Sequence, residues 1–292
     1  MNEKVLDAFS KMLDFDTTAN LLTYDFVQQA LLAAAILGLL AGALGPLIVS
    51  RQWAFAVHGS SELSLTGASA ALLVGITVGL GAIVGSVVAA VMFALLGSKA
   101  RDRDSVIGVI MSFGLGLSVL FIWLYPGRTG TSFSLLIGQI VGVGQSGIQL
   151  LLVCAVLVLI VLTVVYRPLL FASTDPEVAL ARGVPVRALS VVFAVLVGVA
   201  CALGVQIVGA LLVLSLLITP AAAAARVTAS PLKATLLSIV FAEIAAVGGI
   251  LLSLAPGLPV STFVTTISFV IYLVCRAIGG TRKANSGRLV AA

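Results

Sequence analysis

From Phe26 to Cys275 the chain is a succession of apolar runs, each near the roughly twenty residues that a helix needs to cross a bilayer. Short joints rich in charge, glycine or proline separate them. Strands of a membrane barrel would instead alternate in polarity over ~10 residues. Only 9% of the 292 residues are charged and 61% are hydrophobic, whereas a soluble domain carries about 25% charged residues. Too little polar material is present to cover a water-facing surface. The expected fold is an all-α, polytopic integral membrane protein with about nine, alternatively eight, transmembrane helices.

The joints place those spans at about 26–50, 53–74, 75–98, 105–125, 147–166, 231–253 and 260–275. Two more lie between Arg187 and Arg226 and are divided near Val205 and Gln206, with Pro220 breaking or kinking the second. The piece 134–143 is too short to cross and reads as interfacial or re-entrant. Residues 1–25 form an amphipathic lead-in, 26–276 the membrane domain and 277–292 a basic tail. No apolar segment precedes Asp25, so the first span is expected to serve as the targeting signal. With nine spans and the N-terminus outside, every Lys and Arg except Lys4, Lys11 and Arg128 falls on the inner side. The positive-inside rule selects that orientation. It puts the 167–187 connection and the C-terminus in the cytoplasm and faces 126–146 outward. The net charge of +5 is therefore a matter of topology and does not point to nucleic acid.

Charge inside the spans is scarce, and its position is informative. The stretch Arg51–Gly67 holds the only histidine, His58, and Glu62 follows four residues later. On a helix these two share one face, which Thr66 and Ser69 extend, with Ser61 beside them. An acid at the bilayer centre costs about 2.5–3.5 kcal/mol on insertion scales, so it faces a cavity or a partner. The plainer reading is a His–Glu hydrogen bond that cements packing. The functional reading is an ion site. One chain supplies only two good ligands, but a twofold dimer would gather two imidazoles and two carboxylates at its axis, a set suited to zinc or manganese. Neutral imidazole and ionised carboxylate are the binding forms, so acid weakens such a site. Glu243 stands alone in its span. Ser61, Thr66, Ser69 and Glu243 are candidates to line the path or support it. Glycines 75, 79, 81 and 85 suit close packing, and Gly38 and Gly42 give a GxxxG spacing.

The sequence also lacks several kinds of machinery. It has no GxxxxGK[ST] phosphate loop and no HExxH, so no pattern for ATP hydrolysis or zinc proteolysis is present. Ser60 and Ser61 beside His58 lack the turn of a hydrolase nucleophile. Cys154, Cys201 and Cys275 sit singly in separate apolar runs and read as small buried hydrophobes. In the 167–187 connection, Thr174 suits an N-cap, Pro176 and Glu177 suit a first turn, and Gly183 suits a C-terminal stop. A short capped helix is expected there, at about 174–185.

These stretches resemble the permease subunits of the zinc-, manganese- and iron-uptake ABC transporters, the ABC-3 family. That family's second span typically reads R-x-M-S-hydrophobic-x-G-D-A-x-S-H-A-x-x-P-G. Arg51, Ser61 and Gly67 match it. Its aspartate falls on His58 and its histidine on Glu62, so the two ligand types are kept in exchanged order, and Thr66 stands at its proline. Ser173–Val184 is similar to the family's S-F-D-P-E-x-A-x-x-x-G-V segment through Asp175, Pro176, Glu177, Ala179 and Gly183. Gly209–Ala221 is similar to its G-x-L-L-V-x-A-L-L-I-x-P-A run.

The resemblance implies a homodimeric transport subunit that is not itself an enzyme and keeps no permanently bound cofactor. Its cargo would be zinc or manganese, with iron a further candidate, held by His58 and Glu62. A cytoplasmic ATP-binding subunit would dock around Thr174–Gly183, and an extracytoplasmic metal-binding protein would deliver the ion. A proton-driven secondary transporter using Glu62 and Glu243 is the alternative from a different class.

Overall fold

The computed structural model describes residues 15–96, 100–126 and 145–290. These residues form eleven helices and no strand: α1 Phe15–Leu21, α2 Asp25–Ser50, α3 Ala54–Val74, α4 Val78–Leu96, α5 Ala100–Leu124, α6 Gln145–Thr174, α7 Pro176–Ala181, α8 Val186–Val208, α9 Ala210–Val227, α10 Pro231–Leu254 and α11 Val260–Val290. A long helix stands at each of the nine expected positions. Seven are long and apolar enough to cross a membrane: α2, α4, α5, α6, α8, α10 and α11. α3 is not among them because it carries the polar stretch. In α9 the stretch that counts among the described residues, Val213–Val227, is shorter than a crossing. The 134–143 piece, Lys4, Lys11, Lys99 and Arg128 lie outside the described residues.

Several boundaries differ from expectation, each for a local reason. The connection assigned to Arg167 onward is helical up to Thr174, because Pro168 is accommodated inside α6. An internal proline forfeits one backbone bond but need not end a helix whose sides are packed. α5 begins at Ala100, so most of the expected charged loop is its first turn. α8 and α9 part at Gly209 rather than near Gln206. Gly209 has φ 91°, a value that side chains rarely permit. α11 runs on through the basic segment expected to be a tail.

The chain divides into two compact units, residues 50–214 and residues 1–49 with 215–292. In the first, α3 packs on α4, α5 and α8, and α8 also packs on α4, α6 and α7. Small residues set these distances. A methyl group on Gly85 would lie 2.6 Å from the Leu63 carbonyl oxygen and 2.8 Å from the Gly67 Cα, so α3 and α4 touch backbone to backbone there. Gly198 does the same for α8 against Val87, where a methyl would lie 2.8 Å from the Cα. This is the small-residue packing that replaces hydrophobic driving force between helices in lipid. Gly75 behaves differently from the packing role expected of it. At φ 80° it terminates α3, while Ile76 N–H bonds the Ala71 carbonyl at 2.9 Å, and no atom lies where its side chain would be.

In the second unit α2 meets α10 along Gly38, Gly42 and Gly45. A methyl on Gly42 would lie 2.7 Å from the Ile239 nitrogen, and one on Gly45 2.7 Å from the Ala221 Cβ. α10 and α11 pack through Gly249 and Val264 after the turn at Pro256 and Gly257. Arg226, closing α9, reaches the Tyr272 hydroxyl of α11 at 3.3 Å.

Candidate functional site

α3 is buried on nearly all sides. Between Ala56 and Ala71 the residues not fully buried are His58, Glu62, Thr66, Gly67 and Ala70. The four-residue spacing of His58, Glu62, Thr66 and Ala70 makes one stripe along the helix. The two candidate ligands therefore occupy the one partly open side of a helix otherwise enclosed.

The hydroxyls near that stripe are committed to structure. Ser61 Oγ donates to the His58 carbonyl at 2.7 Å and Ser69 Oγ to the Thr66 carbonyl at 3.0 Å, both within α3. Thr66 Oγ1 donates to the Gly114 carbonyl of α5 at 2.9 Å and meets Ser118 Oγ at 2.8 Å. The histidine and the acid are left. His58 Nδ1 is buried and has no hydrogen-bond partner, and the ring lies tilted against Phe55 with centroids 6.4 Å apart. No hydrogen bond joins His58 to Glu62 among the described residues, so the packing bond between them is not made. A buried ring nitrogen without a partner is costly unless something else supplies one. Nor do the described residues of this single chain bring three His, Cys, Asp or Glu together. The pair offers one imidazole and one carboxylate on the same stripe.

Glu243 lies elsewhere, in the unit that contains α2 and α10. Its carboxylate covers Gly38: a methyl there would sit 3.1 Å from Cδ and Oε1 and 3.3 Å from Oε2. The absent side chain of Gly38 is thus the space that Glu243 occupies. The GxxxG spacing in the sequence hinted at close approach but not at an acid as the neighbour.

The 174–185 segment holds a shorter helix than expected, α7, of six residues. Its N-cap is Asp175, not Thr174: Asp175 Oδ1 accepts the Val178 N–H at 3.1 Å. Thr174 ends α6 and donates back to the Leu170 carbonyl at 2.7 Å. Pro176 begins the helix, where a missing N–H is harmless. Gly183, at φ 78°, closes it, with Val184 N–H on the Ala179 carbonyl at 3.0 Å. Ala179 is fully buried, whereas Glu177 is exposed. The helix so presents its acidic side to the surroundings and its small residue inward.

Arg51, which in the sequence stands just before the second span, is a cross-link. Its Nε donates to Ser173 Oγ at 2.7 Å, and its guanidinium lies 4.9 Å from the Phe193 ring centroid. One side chain thereby ties the start of α3 to the end of α6 and to α8, on either side of α7. Burial lowers its pKa to about 10, which leaves it charged at neutral pH.

Comparison with known proteins gives consistent results. The profile of the ABC 3 transport family matches residues 23–279. The manganese transport system membrane protein MntC of Halalkalibacterium halodurans is 30% identical over 234 residues, 80% of each chain. The manganese import system permease protein ScaB of Streptococcus parasanguinis is 29% identical over 267 residues, covering 91% of this chain and 95% of that one. Among solved structures, PsaBC from Streptococcus pneumoniae in complex with Fab superposes with a TM-score of 0.81 at 25% identity, covering 90% of this chain and 95% of that one.

Proposed function

Since the chain belongs to the ABC 3 transport family, we propose that it is the membrane-spanning subunit of an ATP-driven importer and that manganese is its cargo. The similarity to manganese permeases over most of the chain supports the ion. The observation that carries the site is the α3 stripe, where His58 and Glu62 share the partly open side and His58 Nδ1 lacks a partner.

Two copies related by a twofold axis would bring together two imidazoles and two carboxylates. Carboxylates that bind through both oxygens make this an oxygen-rich set, which favours manganese over zinc. Each chain contributes one imidazole and one carboxylate, and the ion is cargo rather than a resident cofactor. Asp175, Pro176 and Glu177 begin the helix that meets a cytoplasmic ATP-binding subunit. An extracytoplasmic metal-binding protein supplies the ion at the opposite face. ATP binding then shifts the permease between outward- and inward-open states, since a ligand can move such an equilibrium only through its unequal affinity for the two. The distribution of Lys and Arg supports an N-terminus outside and a C-terminus in the cytoplasm. Family membership gives no support to the proton-driven alternative through Glu62 and Glu243.

The test is accumulation of manganese, zinc and iron, measured together, in cells lacking this chain and complemented with wild-type or H58A/E62A protein. Selective loss of manganese in both the deletion and the double variant is expected. Wild-type manganese uptake by the double variant, with the ATP-binding subunit still attached, would reject the site.

A further inference from the structure

Beside α7 lies a cleft of about 820 Å³ whose lining includes Arg51 and Arg187. Every lining residue lies at the end of a long helix or in the joint next to one: 50–53, 93–95, 172–173 with 176, and 186–188 with 190–191. Ends of spanning helices mark the level where hydrocarbon gives way to headgroups. The chemistry of the cleft is cationic on an apolar wall. Of the five N–H donors of Arg51, one is well used, on Ser173 Oγ at 2.7 Å. Contacts to Ser190 Oγ and the Leu169 carbonyl stretch to 3.5 Å. All three acceptors are neutral. Arg187 is exposed and sits in the first turn of α8, where the helix dipole disfavours a cation. Among the described residues, no carboxylate lines the cleft. Asp175, close in sequence, is turned to the Val178 N–H instead. Among the described residues, two cations thus share a space without an anion. Phe93, Leu95 and Val191 supply the apolar wall, and Leu95 is 65% exposed.

We propose that this cleft binds the phosphate-bearing headgroup of an anionic phospholipid, with Arg51 and Arg187 on the phosphate and the start of an acyl chain along Leu95. Size argues for a headgroup rather than a single acidic side chain, because the cleft falls in the ~300–1,000 Å³ range of whole small-molecule sites. Basic pockets between membrane helices are established places for such headgroups. The lipid would brace the Arg51 cross-link that flanks α7, so the site is separate from the His58–Glu62 stripe.

The test uses the full chain, purified in detergent and stripped of lipid. Native mass spectrometry then counts retained phosphatidylglycerol against phosphatidylcholine at equal concentration. The wild type should prefer phosphatidylglycerol, and R187Q should lower that preference about fivefold, the effect of one basic residue at an anionic surface. Arg187 is exposed and makes no hydrogen bond among the described residues, so this variant should keep its fold, checked by an unchanged melting temperature. R51K, which keeps the charge but not the fork, should retain an intermediate preference. Three results would overturn the proposal. The first is equal retention of both lipids by the wild type. The second is displacement of phosphatidylglycerol by millimolar inorganic phosphate, which makes the cleft a free-anion site. The third is an R187Q variant that keeps its lipid but no longer co-purifies with the ATP-binding subunit, which makes the occupant an acidic side chain of that partner.

Discussion

The hydroxyl oxygens of Thr66 and Ser118 lie 2.8 Å apart, and both are within 3.0 Å of the same acceptor, the Gly114 carbonyl. Two protons therefore serve three contacts. Thr66, which continues the His58–Glu62 stripe, is thereby turned into the α3–α5 contact. T66V should cost about 0.6 kcal/mol, the average for such a bond between membrane helices and at most ~1.7. The melting temperature of the solubilised chain should fall by a few degrees. Metal uptake per folded molecule should stay unchanged. A tenfold loss of uptake at normal folding would instead place Thr66 in the path of the ion.

Gly38 and Gly42 invite a sharper contrast. The nearest atoms to a methyl at 38 belong to the end of the Glu243 side chain, at 3.1 Å, whereas a methyl at 42 meets backbone, 2.7 Å from the Ile239 nitrogen. The carboxylate can swing away, but the backbone cannot. G42A should therefore cost the upper part of the ~1–3 kcal/mol range for overpacking and G38A the lower part. G38A/E243A should recover most of the G38A loss, because the second change empties the space that the methyl enters. Thermal denaturation of the four proteins in a double-mutant cycle measures that coupling. Additive losses would show that the carboxylate is not the obstacle.

The sequence carries the helices plainly and the contacts between them poorly, for physical reasons. Span lengths follow from the hydrocarbon thickness, so the joints alone located nine helices. Gly183 was legible as a stop because its left-handed φ is a local property. Pro168 misled because its effect depends on what packs around α6, which the local sequence does not record. Thr174 and Asp175 are both capping residue types, and Asp175, standing immediately before Pro176, is the one that caps. The Arg51–Ser173 bond spans 122 positions, and the Glu243–Gly38 contact likewise joins distant segments. Nothing in either residue's neighbourhood announces its partner. In the candidate site, the pairing of His58 with Glu62 on one face was evident from spacing. That Ser61, Thr66 and Ser69 are spent on structure required the three-dimensional arrangement.

The cap of α7 yields a test that separates charge from hydrogen bonding. Asp175 Oδ1 accepts the Val178 N–H, a role asparagine fills equally well. D175A should loosen the first turn by about 1 kcal/mol, seen as faster hydrogen exchange at the Val178 amide. D175N should leave that exchange near the wild-type rate. Under the proposed docking of an ATP-binding subunit at this helix, co-purification should fall in D175A and persist in D175N. If both variants lose the partner equally, the carboxylate charge contacts that subunit directly and the cap is incidental.

The family resemblance implies that acid and imidazole stand on α3 in exchanged order, and swapping them tests the site itself. His58 and Glu62 are one helical turn apart on the same stripe, about 6 Å along the axis. H58D gives two acids and no imidazole, and E62H gives two imidazoles and no acid, so each single change alters the ligand set. H58D/E62H keeps the set and moves each ligand by one turn. If the pair acts as ligands at a twofold axis, each single variant should lose at least about tenfold in manganese uptake, the lower end of the loss for a disturbed metal site. The double variant should recover most of that loss. H58D should lean toward hard, oxygen-preferring ions and E62H toward zinc, because carboxylate and imidazole differ in that preference. Competition between manganese and zinc in vesicles holding the complete transporter reads out both effects. Additive losses in the double variant would show that position, not ligand type, governs this stripe. The His58 and Glu62 side chains would then serve packing rather than the ion.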